Sequence, residues 1–80
     1  MAISSAQCRG ARGMLNWTRA DLAEASGVSP RALADFEADN RHPIRSTLAA
    51  IQRALEDAGI EFTNGDQPGV RLRRIRSQKR

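Results

Sequence analysis

The sequence predicts a mainly α-helical domain with four helices and a small β-hairpin at its C-terminal end. Apolar side chains recur at helical spacing in four segments, and most of these segments are bounded by residues typical of helix ends. After residue 59, two short alternating runs flank a stretch of turn-forming residues. Eighty residues suit one small domain. We expect a helical part over 1–59, a hairpin over 60–73 and a basic tail over 74–80 that is disordered without a partner.

The first helix is predicted to begin after Ser4 and to run to about Leu15. Ser4 is a good N-cap, and Gln7 three residues later completes a capping box. Cys8, Ala11 and Leu15 then recur on one face of the helix. We expect the cysteine on this face to be a small core residue, because no partner that would activate a thiol is evident.

Two glycines lie inside this first helix, at positions 10 and 13. Each weakens the helix by roughly 1 kcal/mol relative to alanine. Such glycines either let another part of the chain approach closely or are tolerated at the surface. We expect the second case for both Gly10 and Gly13.

The second helix is predicted to begin after Thr18, and Asp21 completes its capping box. Trp17 before the cap and Leu22 have the spacing of a hydrophobic staple. Gly27 ends the helix, because glycine adopts the left-handed conformation without a steric penalty. This helix is therefore predicted to be short and sharply ended.

The third helix begins after Ser29, a good N-cap, with Pro30 at the first helical position. At about 100° per residue, Leu33 and Phe36 face the core. The outward stripe consists of Arg31, Ala34, Asp35 and Ala38. By these end signals, residues 18–38 form a helix-turn-helix, whose outward stripe is the part that would read a DNA major groove.

A fourth helix is predicted from about Arg45 to Ala58, with Gly59 as its stop. Its inward stripe consists of Leu48, Ile51, Leu55 and Ala58. Two strands, Ile60–Thr63 and Val70–Arg73, then form the hairpin with their apolar side chains on one face. A two-stranded hairpin is marginal alone, so we expect it to pack on the fourth helix or to pair with a second subunit.

The stretch from Thr18 to Arg41 resembles the Cro/repressor-like XRE family of bacterial and phage DNA-binding domains. The family motif runs roughly T-Q-x-x-L-A-x-x-x-G-V-S-x-x-x-I-S-x-I-E-x-G. The positions that match in identity or type are Thr18, Leu22, Ala23, Gly27, Val28, Ser29, Leu33, Phe36 and Glu37. The resemblance covers about residues 4–58 and implies a four-helix, lambda-repressor-like helix-turn-helix fold.

Three positions depart from the family pattern. Arg19 stands where the family often has glutamine, and Asp39 stands where it often has glycine. Asp35 places an acid at a position that usually faces a base. The resemblance also implies that Arg12 pairs with Glu37 and so fixes the angle between the first and third helices. The alternative is two solvated charges, and we favour the pair.

Double-stranded DNA is the predicted partner. One group of residues is predicted to contact the phosphate backbone, and a second group to contact base edges. Thr18 and the free N–H groups of the second helix can hold a phosphate, beside the charge of Arg19. Arg31 can bind guanine O6 and N7, whereas Ala34 offers only apolar contact, for example with a thymine methyl. Asp35 can accept from a cytosine amino group, form an i, i+4 pair that aims Arg31, or form a weak surface ion pair. Of these three roles we favour the pair that aims Arg31.

The resemblance further implies that the loop after the third helix touches a backbone phosphate, which assigns that role to Asn40 and Arg41. The predicted DNA-binding residues are therefore Thr18, Arg19, Ser29, Pro30, Arg31, Ala34, Asp35, Asn40 and Arg41. One such unit reads few base pairs, so we expect a homodimer on an inverted repeat.

Charge is distributed unevenly along the chain, whose formal net charge is +4. Residues 1–70 carry seven arginines and nine acids, a net −2, while residues 71–80 carry five arginines and one lysine, a net +6. This basic segment favours nucleic acid as a partner over a membrane, because no apolar stripe accompanies it. With one histidine, one cysteine and no tyrosine, no catalytic, metal or cofactor site is predicted, so we do not expect an enzyme.

We therefore expect a sequence-specific DNA-binding transcriptional regulator, and specifically a repressor. The lone Cys8 fits a reducing cytoplasm, and no apolar run of about 18 residues is present, so we expect no membrane partner. The resemblance implies a bacterial or phage protein associated with the nucleoid. The alternative is a DNA-binding antitoxin or an interaction module of a larger regulatory complex, with a protein partner bound through the hairpin or the tail. Binding of RNA through the tail is disfavoured, because exposed aromatic side chains for base stacking are lacking.

Overall fold

The computed structural model describes residues 3–63 and 68–73, which form four helices and one antiparallel hairpin. The predicted turn at 64–67 and the basic tail at 74–80 lie outside the described residues. The elements are α1 (Ser5–Leu15), α2 (Arg19–Ser26), α3 (Pro30–Glu37), α4 (Arg45–Asp57), β1 (Ile60–Thr63) and β2 (Gly69–Leu72). The mainly helical fold class is thereby confirmed. Within the described ranges, no helix is long and apolar enough to cross a membrane.

The helix ends follow the local chemistry of the sequence. Ser4 and Gln7 form the capping box of α1, and Thr18 and Asp21 form that of α2. The Ser29 hydroxyl caps α3 by accepting from the backbone N–H three residues later at 3.1 Å. Gly27 ends α2 with φ of +77°. By contrast, α4 starts without a side-chain cap.

One hydrophobic core joins all four helices and the hairpin. As predicted, Leu33 and Phe36 of α3 are buried in this core. Helix α2 contacts both α3 and α4. Trp17 and Ala23 lie at its edge, half-buried. The buried apolar side chains are Ile3, Cys8, Ala11, Leu22, Leu33, Phe36, Leu48, Ile51, Ala54, Leu55 and Ile60.

The two predicted strands pair as an antiparallel hairpin, with Phe62 opposite Val70 and the first residue of β1 opposite Leu72. Strand β1 packs on α4 as expected, while β2 packs on α1, which the sequence did not indicate. A Cβ atom at Gly10 would lie 3.3 Å from Cγ2 of Val70. Gly10 is therefore a close-approach position under the hairpin rather than merely a tolerated surface glycine, whereas Gly13 faces open space as expected.

Gln7 fixes the hairpin to α1. Its Nε2 donates to the carbonyl oxygens of Thr63 and Gly69, at 3.2 and 3.0 Å. Its Oε1 accepts from the backbone N–H of Ser4 at 2.9 Å. One buried amide thus closes the capping box of α1 and holds the last paired residues of the hairpin.

Candidate nucleic-acid interface

The predicted DNA-binding residues lie on α2, α3 and the loop that follows α3, and most of them are exposed. Ala34 and Asp35 are half-buried, because they lie at the border of the outward stripe of α3. The exposed members are Thr18, Arg19, Ser29, Pro30, Arg31, Asn40 and Arg41. Ser29, Arg31, Asp35 and Arg41 line one open surface depression, so the start of α3 and the following loop form a continuous surface.

The guanidinium of Arg31 has no ion-pair partner within residues 3–63 and 68–73. The ion pairs of this part of the chain join Arg12 to Glu37, and both Arg71 and Arg73 to Glu61. The predicted i, i+4 pair between Arg31 and Asp35 is therefore wrong, because the two side chains form no ion pair in the described residues. The guanidinium is left exposed at the first turn of α3.

The loop after α3 folds back on the last turn of that helix. Asp39 has φ of +60°, and its N–H donates to the carbonyl of Phe36 at 3.0 Å. The N–H groups of Asn40 and Arg41 both donate to the carbonyl of Asp35, at 2.9 and 3.3 Å. These bonds form a Schellman motif, which here has aspartate at the left-handed position that is usually glycine.

A buried ion pair fixes α3 against α1, as the resemblance implied. Arg12 binds the Glu37 carboxylate through two nitrogens, Nη2 to Oε1 at 2.7 Å and Nε to Oε2 at 2.8 Å. Its Nη1 donates to the Trp17 carbonyl at 2.9 Å, so the same guanidinium also holds the start of α2. Glu37 is only 4% exposed. The structure thus places the two charges in contact rather than separately in solvent.

Further polar side chains of α1 bind the C-terminal end of α3. The Cys8 thiol donates to Oε2 of Glu37 at 3.2 Å, and Arg9 donates to the Glu37 backbone carbonyl. The Ser5 hydroxyl donates to Oδ1 of Asp39 at 2.7 Å. Together with the ion-paired arginine, the side chains of α1 that bind this end of α3 and the following residues are Ser5, Cys8, Arg9 and Arg12. Sequence reasoning missed the roles of Ser5 and Arg9, although the i, i+4, i+7 spacing of positions 5, 9 and 12 is a signal that they share one helix face.

The titration of Glu37 and Cys8 reflects this packing. Burial raises the pKa of Glu37, but hydrogen bonds from Arg12 and Cys8 and the charges of Arg12 and Arg19 outweigh burial and bring the pKa below its ordinary value. Burial, followed by the hydrogen bond and charge of Glu37, raises the pKa of Cys8 to about 12. Cys8 is thus a neutral donor in the core, as its predicted core role requires.

The same structure holds no arrangement suited to a metal ion in its described ranges. No group of three or more His, Cys, Asp or Glu side chains is close enough there to hold one. His42, the single histidine of the chain, is exposed on the loop after α3.

A family model described as helix-turn-helix matches residues 9–56 of the chain. The matched region includes every predicted DNA-binding residue and both partners of the Arg12–Glu37 pair. It leaves out Ser5, the start of α1 and the hairpin. No curated protein sequence matches the chain significantly.

Proposed function

Because the chain belongs to the XRE-type helix-turn-helix family and is a DNA-binding regulator of that type, we propose that it is a repressor that binds one specific duplex sequence as a homodimer. The observation that carries this proposal is the exposed guanidinium of Arg31, which has no ion-pair partner among the described residues, on a helix whose far end is fixed by the buried Arg12–Glu37 pair. A free donor fork on a rigid helix is suited to base recognition, because hydrogen bonds to base edges require a fixed geometry.

In the proposed complex, the outward stripe of α3 reads bases. Arg31 binds O6 and N7 of a guanine, and Asp35 accepts from the amino group of a cytosine about one helical turn further along α3. Ala34, between them, contacts a thymine methyl. The missing ion pair between Arg31 and Asp35 supports separate roles for the two side chains.

Other residues position the domain without reading sequence. Thr18 and Arg19 bind a phosphate at the N-terminus of α2, where backbone N–H groups and a positive charge coincide. Asn40 and Arg41 bind a second phosphate from the loop after α3. Ser29 and Pro30 set the start of α3 against the groove.

A homodimer supplies the remaining specificity. One reading helix contacts only a few base pairs, and two-fold symmetry doubles this number on an inverted repeat. A domain of this size also has a small core, and association is a common source of added stability.

Selection of bound duplexes from a random pool tests the proposal. We expect an enriched inverted repeat with a G·C pair in each half-site, and sedimentation of the complex as two chains per duplex. Repression is tested by in vitro transcription from a promoter that contains the enriched site. A monomer that co-purifies with another protein would instead favour the antitoxin or interaction-module alternative.

Arg31→Ala is the specific test of base reading. We expect a loss of about 1–3 kcal/mol in binding, mainly at one G·C pair, with the fold intact. Arg53→Ala is the matched control, since Arg53 is exposed on α4 and its loss removes the same charge. An Arg31→Ala variant that selects the same sequence with the same preference would contradict the proposed reading.

A further inference from the structure

Asp39 occupies a backbone conformation that ordinarily favours glycine, with φ of +60°. Non-glycine residues adopt this left-handed conformation at a cost, although aspartate and asparagine tolerate it better than most. Glycine at position 39 would form the same Schellman motif, but it would have no side chain to bind Ser5. The hydrogen bond from Ser5 is therefore the structural gain that accompanies aspartate at this position.

The Asp39 carboxylate lies at the N-terminal end of α1. Ser5 is the first residue of α1, and its hydroxyl donates to the carboxylate at 2.7 Å. The first turn of α1 contains no acidic residue of its own. Because the N-terminus of a helix carries a partial positive charge, a carboxylate from another element is stabilised there. Ser5 is only 8% exposed, so the donor end of this bond is held in a fixed position.

The same bond joins the loop after α3 to the body of the domain. Asp39 directly precedes Asn40 and Arg41, whose N–H groups are held by the Asp35 carbonyl. Ser5, Asp39 and Arg41 line one surface depression, so the arginine lies beside the Ser5–Asp39 contact. The loop is thus held at two points, by α3 through its backbone and by α1 through one side chain.

We propose that Ser5 and Asp39 are positioning residues for DNA binding, which hold the loop so that Arg41 reaches a backbone phosphate. The inference rests on the proposed function, in which Arg41 contacts DNA. Ser5 lies outside the matched family region, yet it sets the strength of a contact that Arg41 makes. The Ser5–Asp39 bond favours DNA binding because it lowers the conformational entropy that the loop loses when it docks on DNA.

The decisive comparison is between Asp39→Asn and Asp39→Gly in the full chain. Both variants remove the negative charge, and both residues tolerate the left-handed conformation. Only asparagine retains an oxygen that can accept from Ser5. We expect Asp39→Asn to bind the selected duplex more tightly than Asp39→Gly, by up to about fivefold, since the energy of one intramolecular hydrogen bond is the upper limit of this effect.

Two added substitutions show whether this ratio arises from the proposed contacts. The ratio is expected to fall to about one when Ser5→Ala is combined with each variant, because the donor is then absent. It is also expected to fall when Arg41→Ala is combined with each variant, because Asn40 is then the only residue of the loop left to bind the phosphate. A purely structural role would leave the ratio unchanged in the Arg41→Ala background, and thermal unfolding of all variants reports any difference in stability.

Equal affinities of Asp39→Asn and Asp39→Gly would overturn the inference, as would a ratio that persists with Ser5→Ala or with Arg41→Ala. These outcomes leave the proposed function intact, because the unsubstituted chain would still select its duplex and Arg31→Ala would still relax that selection. Failure of the proposed function has a different signature, namely no enriched sequence for the unsubstituted chain. That result would overturn both.

Discussion

Replacing Arg12 with methionine removes both guanidinium donors of the buried Glu37 carboxylate while keeping a long side chain in the same space. The carboxylate then retains only the Cys8 thiol, a weak donor at 3.2 Å. Water cannot replace the lost donors easily, since the Glu37 side chain is 3% exposed. The variant therefore leaves a buried charge without adequate partners.

The size of the effect follows from this burial. Removal of one partner from a buried ion pair costs roughly 3–5 kcal/mol. The Arg12 side chain is 19% exposed, so its end of the pair is partly open to solvent. We therefore expect a loss near the lower limit, about 3 kcal/mol. Because a chain of this length is stable by only about 4–12 kcal/mol, Arg12→Met is expected to be marginally folded.

Urea unfolding followed by far-ultraviolet circular dichroism measures this loss, and Arg53→Met serves as the control for removal of an exposed arginine. The double variant Arg12→Met, Glu37→Met is expected to recover most of the lost stability, because it removes the buried charge together with its partner. A single variant within about 0.5 kcal/mol of the unsubstituted chain would refute the reasoning, since that is the range of ordinary surface substitutions. A double variant no more stable than Arg12→Met would do the same.

The deficit of Arg12→Met should also depend on pH. In the unsubstituted chain the pKa of Glu37 is below its ordinary value of 4.5, so its contribution to stability is present above pH 4.5 and is lost as the pH falls through the folded-state pKa. Without Arg12, burial is the dominant influence and raises that pKa above 4.5. The variant then loses stability where Glu37 is ionised and recovers it on protonation. The difference between the two proteins should therefore be largest at neutral pH and narrow in acid.

Three further outcomes test the proposed phosphate contact of Arg19, the contribution of the basic tail to DNA binding and the burial of Cys8. Arg19→Ala should weaken binding to specific and unrelated duplexes alike and reduce the salt dependence by about one counterion, as measured by anisotropy titrations at several salt concentrations; a changed sequence preference would contradict a phosphate contact. Deletion of residues 74–80, which carry four positive charges, should lower affinity at low salt, and unchanged affinity would remove this segment from the mechanism. Cys8 should react with a thiol reagent only as the domain opens, so its labelling rate should rise with urea; rapid labelling of the native protein would contradict its burial.

The starts of the first three helices and the end of α2 were predictable because capping is local chemistry. Ser4, Thr18 and Ser29 bind N–H groups three residues away, and Gly27 adopts its conformation independently of distant contacts. The fourth helix has no side-chain cap, and its start could be placed only from its apolar stripe. The core followed from the same stripes, because helical periodicity alone determines which side chains share a face.

The contacts that support the candidate interface were harder to predict, because they join residues far apart in sequence. The Arg12–Glu37 pair was anticipated only through the family resemblance. The Ser5–Asp39 bond spans 34 positions and involves a residue at which the chain departs from the family pattern. In the sequence alone, Asp39 is only a departure from the family pattern, since no local rule indicates which side chain will lie beside a left-handed aspartate.

The amide of Gln7 links the stability of the start of α1 to that of the hairpin. It holds the opening turn of α1 on one side and the carbonyls of Thr63 and Gly69 on the other, across as many as 62 positions of sequence. Detachment of the hairpin would therefore destabilise the first turn of α1, and fraying of that turn would remove the hydrogen bonds that hold the hairpin. A fusion or truncation at the C-terminal side is therefore expected to affect the start of α1 before it affects α2 and α3, the helices proposed to face DNA.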